Sequence, residues 1–340
     1  MEPCRRAVGA LRDALRVAAF AAATTATAVA SDGAAEPLRM ASRAFGWAAE
    51  IEVRDLPPER AEAAIRAAFS EVEQSEREVA QLAARAPASG ATSVAPGLAD
   101  LLARTQSICL WSRGAVSALG GAAAAIWGGA SARAARLPTS EETEAAAAAA
   151  QCERLAIDRE RSTIRLAPGS GLDLAPIAIG FALDRALARL AEAGSANHWA
   201  GIGNVQIGRG DGPGQRGWPV ELPAFPGVDP PLGRIFLRDR ALAILTSDDR
   251  PRIVGGESIS TYLDLRTARP PASPPLAVLT VAEDAIDAQA LGVAFFVLGA
   301  REGQLRLGAL APRPAVLWLL GSGSGAPVFS AVGWNTVPKR

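Results

Sequence analysis

Few side chains of this sequence can take part in acid–base, nucleophilic or metal chemistry. Histidine occurs once, as His198, and cysteine three times, as Cys4, Cys109 and Cys152. These are too few for a zinc site of His and Cys ligands, and a Ser/His/Asp triad would depend on His198 alone. Because Lys339 is the only lysine, Schiff-base chemistry has no candidate in the body of the chain. A bound metal ion would therefore need oxygen ligands.

Gly201-Ile202-Gly203 and two later glycine clusters could suggest a nucleotide-binding loop. Gly201 and Gly203 lack the third glycine of a dinucleotide fingerprint, because Gln206 stands there. Strand-like sequence also follows them, where the fingerprint needs a helix. The glycines at 208–214 and 321–325 are not followed by the lysine of a phosphate-binding loop. We therefore interpret both clusters as turns and loops.

Most of the remaining polar candidates lie in seven short segments spread over residues 44–330. In chain order they are Phe45-Gly46-Trp47, residues 113–118, residues 173–184, residues 200–204, Thr246-Ser247-Asp248, residues 261–270 and residues 288–299. Each segment alone is common, since a strand followed by Asp-Leu and a helix occurs in many proteins. Seven of them in one order form a specific pattern.

In order and character these segments resemble the motifs of the FAD:protein FMN transferase (ApbE) family. Residues 173–184 are similar to the family's Asp-Leu-Gly-Gly-Ile-Ala-Lys-Gly-Tyr-Ala-x-Asp, and residues 288–299 to its Ala-Asp-Ala-Leu-Ala-Thr-Ala-x-Phe-x-Leu-Gly. The resemblance implies an α/β (α+β) fold over residues 44–335. This fold is a single T-fold-like domain of mixed, mainly antiparallel sheets packed with helices.

The resemblance also implies a function. FAD would bind in a cleft, and its FMN half would pass to a Thr or Ser hydroxyl of a partner flavoprotein, with release of AMP. The flavin-binding positions carried over from the family are Ala115, Val116, Ser117, Asp173, Ile179, Leu263, Asp264 and Thr267.

The metal positions of the family are the main point of departure. There a magnesium ion on the pyrophosphate is held by an Asp and a Thr one helical turn apart, and by a main-chain carbonyl. The matching positions here are Gln289, Val293 and Pro176. Gln289 offers a neutral carbonyl oxygen and Val293 offers no ligand, so a hard cation would lose its main Coulomb attraction. We therefore expect weak binding of Mg²⁺.

Two functions remain open. One is an active FMN transferase, or an FAD pyrophosphatase on the same scaffold, with displaced ligands such as Asp248, Asp284 or Asp287. The other is a binding or scaffold protein that kept the fold after losing its metal site. An unrelated secreted α/β protein would neither release AMP nor bind flavin.

Several conspicuous side chains have ordinary explanations. A lone histidine such as His198 is usually packed or on the surface, and Asp184 and Thr267 fit helix-cap and turn positions. Tryptophans could stack on a flavin, although scattered aromatic residues usually belong to the core. These tryptophans are Trp47, Trp111, Trp127, Trp199 and Trp218.

The elements that must position these segments can be predicted from periodicity and cap residues. We predict helices after Pro57-Pro58, after Ser93 and Pro96, after the capping pair Thr139 and Glu142, over 177–190 and over 285–298. We predict strands over 45–53, 155–158, 163–166, 199–207, 218–222, 235–237, 241–245, 277–281, 316–320 and 328–330. Helices and strands alternate without a compositional break, which favours one domain.

Composition limits the partners and the location. A hydrophobic content of 49% is ample for a core, and 35 basic against 35 acidic residues give no basic surface for nucleic acid. Residues 1–30 resemble a signal peptide or N-terminal anchor, with Arg5 and Arg6 before an apolar run that ends at Ala30. An amphipathic leader or a start-site error is the alternative.

The leader sets the expected compartment. If it acts as a signal, the protein is exported to the periplasm or anchored facing it, with membrane association through this segment only. Residues 31–43 would be a linker. In an oxidising compartment Cys109 and Cys152 could pair.

Overall fold

The computed structural model describes residues 36–85, 90–247, 249–322 and 326–337. The signal peptide or anchor predicted over residues 1–30 lies outside these residues, as does Asp248. The described residues belong to one compact unit. Among the helices of the described residues, none combines the length and apolar character needed to cross a bilayer.

The helices of the described residues are given first. They are α1 (Pro58–Arg85), α2 (Pro96–Trp111), α3 (Gly121–Ile126), α4 (Ser140–Ala149), α5 (Ala175–Glu192) and α6 (Ala285–Leu307). Helix α6 contains a break at Gly299, whose φ of 69° is not helical. The helix predicted over 285–298 therefore ends where expected, and a second helical stretch continues to Leu307.

The strands follow the same chain order. They are β1 (Leu38–Ala44), β2 (Trp47–Val53), β3 (Ala91–Ser93), β4 (Arg133–Ala134), β5 (Leu155–Asp158), β6 (Thr163–Leu166), β7 (His198–Ile202) and β8 (Val205–Arg209). The second half contains β9 (Trp218–Glu221), β10 (Arg234–Leu237), β11 (Arg240–Thr246), β12 (Arg252–Val254), β13 (Glu257–Ile259), β14 (Ala277–Ala282), β15 (Ala315–Leu320) and β16 (Val328–Val332).

Eight strands form one antiparallel sheet in the order β1-β2-β7-β8-β11-β14-β15-β16. Three smaller sheets join β10 to β9, β13 to β12 to β4, and β3 to β6 to β5. Among these pairs, β12 and β4 run parallel. The predicted α+β fold with mainly antiparallel sheets is confirmed.

The central strands are buried on both faces. In β11, Ala243 and Leu245 belong to the core shared with the helices, whereas Leu242 and Ile244 belong to the core under the β9–β10 hairpin. A strand covered on both sides needs apolar residues at every position rather than at alternate ones. This requirement explains the nearly continuous apolar sequence of β11, β14 and β15, which only Thr280 interrupts inside a strand.

Two sequence predictions near the N-terminus are wrong. Residues 31–43 were expected to be a linker, but residues 38–43 belong to β1, which pairs along its whole length with β2. The predicted strand over 45–53 is therefore the second half of a hairpin whose turn is Phe45-Gly46. Ser93 is not the cap of α2, because Ala95 takes the N-cap position without a side-chain bond.

Local cap and turn signals are confirmed elsewhere. Thr139 and Glu142 form a capping box at α4, with each side chain bonded to the other's backbone N–H. The hairpin predicted over 155–166 is β5 and β6. Cys109 at the end of α2 and Cys152 form a disulfide, with their Cα atoms 5.9 Å apart.

Asp184 caps the start of α6. Its carboxylate accepts hydrogen bonds from the N–H groups of Ala285 at 2.9 Å and Ile286 at 3.0 Å, so the capping role predicted for it is confirmed. Burial raises the pKa of Asp184 from the ordinary 3.8 to about 6, although both backbone bonds oppose the shift. The cap joins α5 to the first turn of α6.

The raised pKa of Asp184 makes stability depend on pH. Because the folded protein holds this proton more tightly than the unfolded chain, the stabilising contribution of Asp184 is complete below pH 3.8 and is lost as pH rises through about 6. We expect the free energy of unfolding of the wild type, relative to Asp184→Asn, to fall by roughly 2–3 kcal/mol over that range. Urea unfolding at pH 4, 5, 6 and 7 measures this difference.

Ser107→Ala, at an exposed position of α2, provides the control. Because neither side chain ionises between pH 4 and 7, its difference in stability from the wild type should stay constant over that range. A constant or rising difference for Asp184→Asn would contradict the assignment.

Candidate functional site

Hydrogen bonds join three of the seven segments described above near the start of α5. The N–H of Asp173 donates to the carbonyl of Ala118 at 2.9 Å, and the N–H of Leu265 donates to the carbonyl of Ala115 at 3.3 Å. Residues 115–118 are therefore held between the segment before α5 and the segment at 261–270. The last segment joins them through Gln289, whose Oε1 accepts from the N–H of Gly180 at 2.7 Å.

The other three segments are joined around Asp249. Its Oδ2 accepts from Tyr262 Oη at 3.0 Å and from Asn204 Nδ2 at 3.2 Å. Oδ2 also accepts from the N–H of Thr246, and Oδ1 accepts from the Thr246 hydroxyl. Arg250 next to it donates to the carbonyls of Phe45 and Gly46 at 3.0 and 2.7 Å. All seven segments thus belong to one connected set of hydrogen bonds.

The joined segments enclose a hollow that we call the central cavity. It consists of two adjoining parts of about 180 and 40 Å³. Six residues line both parts, namely Asp173, Pro176, Arg252, Thr261, Tyr262 and Val293. The first part is also lined by Ile179 and Gln289, and the second by Val116, Ser117 and Leu263.

Most of the positions predicted from sequence therefore lie around one hollow. Three predicted flavin-binding residues do not line it. Ala115 is buried beside it and acts through its carbonyl. The carboxylate of Asp264 binds the guanidinium of Arg266 at 2.7 Å instead, because Arg266 follows in the same tight turn. Thr267 is exposed, and its hydroxyl bonds to the carbonyl of Asp264, as in an ordinary turn.

A larger groove lies beside the central cavity. This aromatic groove has a volume of about 790 Å³ and is lined by Trp47, Trp199 and Trp218. Trp47, Asn204 and Asp249 line both the groove and the central cavity. Pockets for cofactor-sized ligands measure about 300–1,000 Å³. The groove lies within that range, whereas the central cavity is too small to hold such a ligand whole.

His198 and the remaining tryptophans stand outside the central cavity. His198 is buried in β7, with Nδ1 3.0 Å from Ser195 Oγ, and burial lowers its pKa to about 4. It is therefore neutral at pH 7, and the packed role predicted for it is confirmed. Trp111 packs edge-on against Phe295, and Trp127 is buried.

Two polar groups of the cavity were not predicted from the sequence. Arg252, on β12, is 9% exposed and faces both parts of the cavity. Burial raises the pKa of Tyr262 well above its usual range, and the charge of Asp249 adds to that shift. A short strand between Pro251 and Gly255 was the only local signal for Arg252.

The profile of the ApbE family matches residues 45–316 of this chain. This stretch contains all seven segments and covers most of the chain. The chain belongs to the ApbE family. Among curated proteins, none matches this sequence.

Solved structures of ApbE proteins share the fold. The flavin transferase ApbE from Vibrio cholerae has a TM-score of 0.76 at 21% identity, with 88% of this chain and 98% of that chain covered. The ApbE protein from Thermotoga maritima gives 0.76 at 21% identity, with 90% and 100% covered. The flavinyl transferase ApbE from Pseudomonas stutzeri gives 0.73 at 18%, with 90% and 99% covered.

The ligand positions carried over from the ApbE family do not fit a magnesium ion. Gln289 is buried and its Oε1 is already bonded to the N–H of Gly180, while Val293 presents only methyl groups to the cavity. In the described part of the chain, no cluster of three His, Cys, Asp or Glu residues could hold a metal. A hard divalent cation prefers several oxygen ligands with carboxylate charge, which these positions lack.

The displaced carboxylates considered from sequence do not supply that charge. Asp284 and Asp287 form ion pairs with Arg104 at 2.7 and 2.6 Å. Neither is among the residues that line the cavity. Asp248 lies outside the described residues. The two carboxylates that do line it are Asp173 and Asp249.

The bond between Gln289 and Gly180 depends on a close approach of α5 to α6. A Cβ atom added to Gly180 would lie 2.5 Å from the carbonyl oxygen of Ala285. Such a distance is far inside van der Waals contact, and the neighbour is backbone that cannot rotate away. Only glycine at this position lets α6 bring Gln289 and Val293 to the cavity.

We expect Gly180→Ala to lower the free energy of unfolding by about 1–3 kcal/mol, because the methyl group overlaps α6. Gly308→Ala is the control, since no atom lies within 4 Å of the added Cβ there. It should be neutral or slightly stabilising. Denaturant unfolding of both variants checks the pair. Equal stability of Gly180→Ala and the wild type would refute the close approach.

Proposed function

We propose that the protein binds FAD with its diphosphate in the central cavity and acts as a flavin transferase. FMN would pass from FAD to a Thr or Ser hydroxyl of a partner flavoprotein. The observation that supports this most is the single set of hydrogen bonds that gathers all seven family segments around one hollow. The names of the Vibrio and Pseudomonas structures point to the same activity.

The reaction exchanges one phosphorus–oxygen bond for another. The hydroxyl oxygen of the acceptor attacks the phosphorus on the flavin side of the diphosphate. The bond from that phosphorus to the bridging oxygen breaks, and AMP leaves with the bridging oxygen and its electron pair. The hydroxyl proton is released to solvent. Because negative charge repels the attacking oxygen, a positive group at the phosphates assists this step.

Two features of the site fit the size and charge of FAD. The guanidinium of Arg252 lines the central cavity, where the diphosphate would lie. The aromatic groove beside it gives room and apolar surface for a ring system that the central cavity is too small to hold. FAD would therefore occupy both hollows.

A second function, FAD binding without transfer, is favoured by one observation. The family's cation-ligand positions hold Gln289, Val293 and Pro176, and Gln289 is engaged by Gly180. A site that lost its cation would keep the fold and the cleft while reacting slowly or not at all. In that case the protein would be a flavin-binding or scaffold protein.

We also propose that the protein is exported, with residues 1–30 as signal peptide or anchor. The disulfide between Cys109 and Cys152 supports this, because such bonds persist in oxidising compartments and are rare in the cytosol. An acceptor flavoprotein would then be located in the same compartment.

The transferase proposal is tested by incubating the full chain with FAD and Mg²⁺. Binding is followed by quenching of flavin fluorescence, and AMP by chromatography, with water as acceptor when no partner is present. We expect both quenching and AMP. Quenching without AMP would contradict transfer and support the second function, and the absence of both would overturn flavin binding.

The double variant Gln289→Asp/Val293→Thr is the matched comparison. It places a carboxylate and a hydroxyl at positions four residues apart on α6, both of which line the cavity. If the wild type binds FAD without releasing AMP and this variant releases AMP only with Mg²⁺, the missing ligands are the reason. If neither releases AMP, another part of the site has been lost.

A further inference from the structure

Arg252 is a buried cation without a carboxylate partner. Its side chain donates from Nη1 to the carbonyls of Trp127 at 3.4 Å and Gly129 at 3.2 Å, and its Nε has no hydrogen-bond partner. In the described part of the chain, no carboxylate lies within ion-pair distance of it. Burying an unpaired charge costs on the order of several kcal/mol, so a buried cation that lines a cavity is a candidate for binding an anionic ligand.

The fold holds this guanidinium in place from behind. Strand β12 pairs with β13 on one side and with β4 on the other, which fixes the backbone at Arg252. The two long bonds to Trp127 and Gly129 restrain one end of the guanidinium. The unpartnered Nε–H belongs to a side chain that lines both parts of the central cavity.

The surroundings suit a phosphate group. Thr261 and Ser117 bring hydroxyl groups to the same hollow. Asp173 is the carboxylate whose charge acts on Arg252, and burial raises the pKa of Asp173. A planar guanidinium offers parallel N–H donors that match two phosphate oxygens.

We propose that Arg252 binds the diphosphate of the flavin nucleotide directly and takes the place of a divalent cation. Binding then persists when divalent cations are removed. This inference rests on the proposed function, since it assumes that a diphosphate enters the central cavity. It accounts for two observations together: the cation-ligand positions are without charge, and a cation of the protein is buried beside them.

The test measures binding of FAD, of inorganic pyrophosphate and of riboflavin to the full chain by calorimetry. Each titration is done once with EDTA and once with Mg²⁺. We expect Kd values for FAD and pyrophosphate that agree within about twofold in the two buffers, because a guanidinium needs no cation to bind phosphate. Binding of FAD and pyrophosphate only in the presence of Mg²⁺ would overturn the inference and leave the proposed function standing.

Variants of Arg252 test the same point independently. Arg252→Gln should raise the Kd for FAD and for pyrophosphate at least tenfold and leave the Kd for riboflavin, which has no phosphate, unchanged. Arg252→Lys keeps the charge but lacks the planar fork, so its Kd values for FAD and pyrophosphate should lie between those of the wild type and Arg252→Gln. Arg301→Gln, at an exposed position of α6, is the control and should match the wild type.

The outcomes separate the two proposals. Pyrophosphate binding that depends on Arg252, without FAD binding, would support the anion site and contradict the flavin function. FAD binding that is equal in the wild type, Arg252→Gln and Arg252→Lys would overturn the role of Arg252. Thermal unfolding of each variant shows whether it is folded, and the comparison of buffers with the wild type needs no variant at all.

Discussion

The approach of α5 to α6 at Gly180 is the constraint on which the site depends. No side chain fits between the two helices there. The backbone N–H of Gly180 instead donates a hydrogen bond to Oε1 of Gln289. Asp184, one turn later, caps α6 from the same helix. These contacts fix Pro176 in the first turn of α5, with Asp173 just before that helix, against Val293 on α6, so the floor of the central cavity is set by packing.

Charge is the second determinant of the site. A diphosphate carries negative charge that a low-dielectric cavity cannot accept without a positive partner. The positions that would hold a divalent cation in this family are neutral here, whereas Arg252 is buried close by without a carboxylate in ion-pair distance among the described residues. These two features are complementary, because the neutral ligand positions remove a bound divalent cation and the buried Arg252 provides a positive charge.

The sequence predicted elements whose signals are local. The capping box at Thr139 and Glu142, the helix stripes and the apolar strands β11, β14 and β15 were all readable because caps and burial act over a few residues. Strand β1 was missed because its side chains are mostly half-buried or exposed, so it lacks the apolar sequence of the central strands. β1 pairs with β2 through the hairpin turn at Phe45-Gly46, and the strand predicted over 45–53 included those two turn residues.

The site was predictable only in part, for a related reason. Asp173, Val293 and Gln289 could be placed through motif order, and they do meet around one hollow. The sequence could not show that Asp264 turns away from the cavity while its neighbours Leu263 and Leu265 line it. Whether the Asp264 carboxylate faces the cavity or binds Arg266 depends on how the turn folds. Arg252 had no motif at all, because its importance arises from burial beside segments that are far away in sequence.

The most direct measurement is a crystal structure of the protein grown with FAD in the presence of EDTA. Our account predicts the diphosphate in the central cavity with its oxygens bonded to the guanidinium of Arg252, and the flavin ring directed to the aromatic groove. A diphosphate bound elsewhere, or no ordered FAD until Mg²⁺ is added and a metal contacts Gln289, would contradict it.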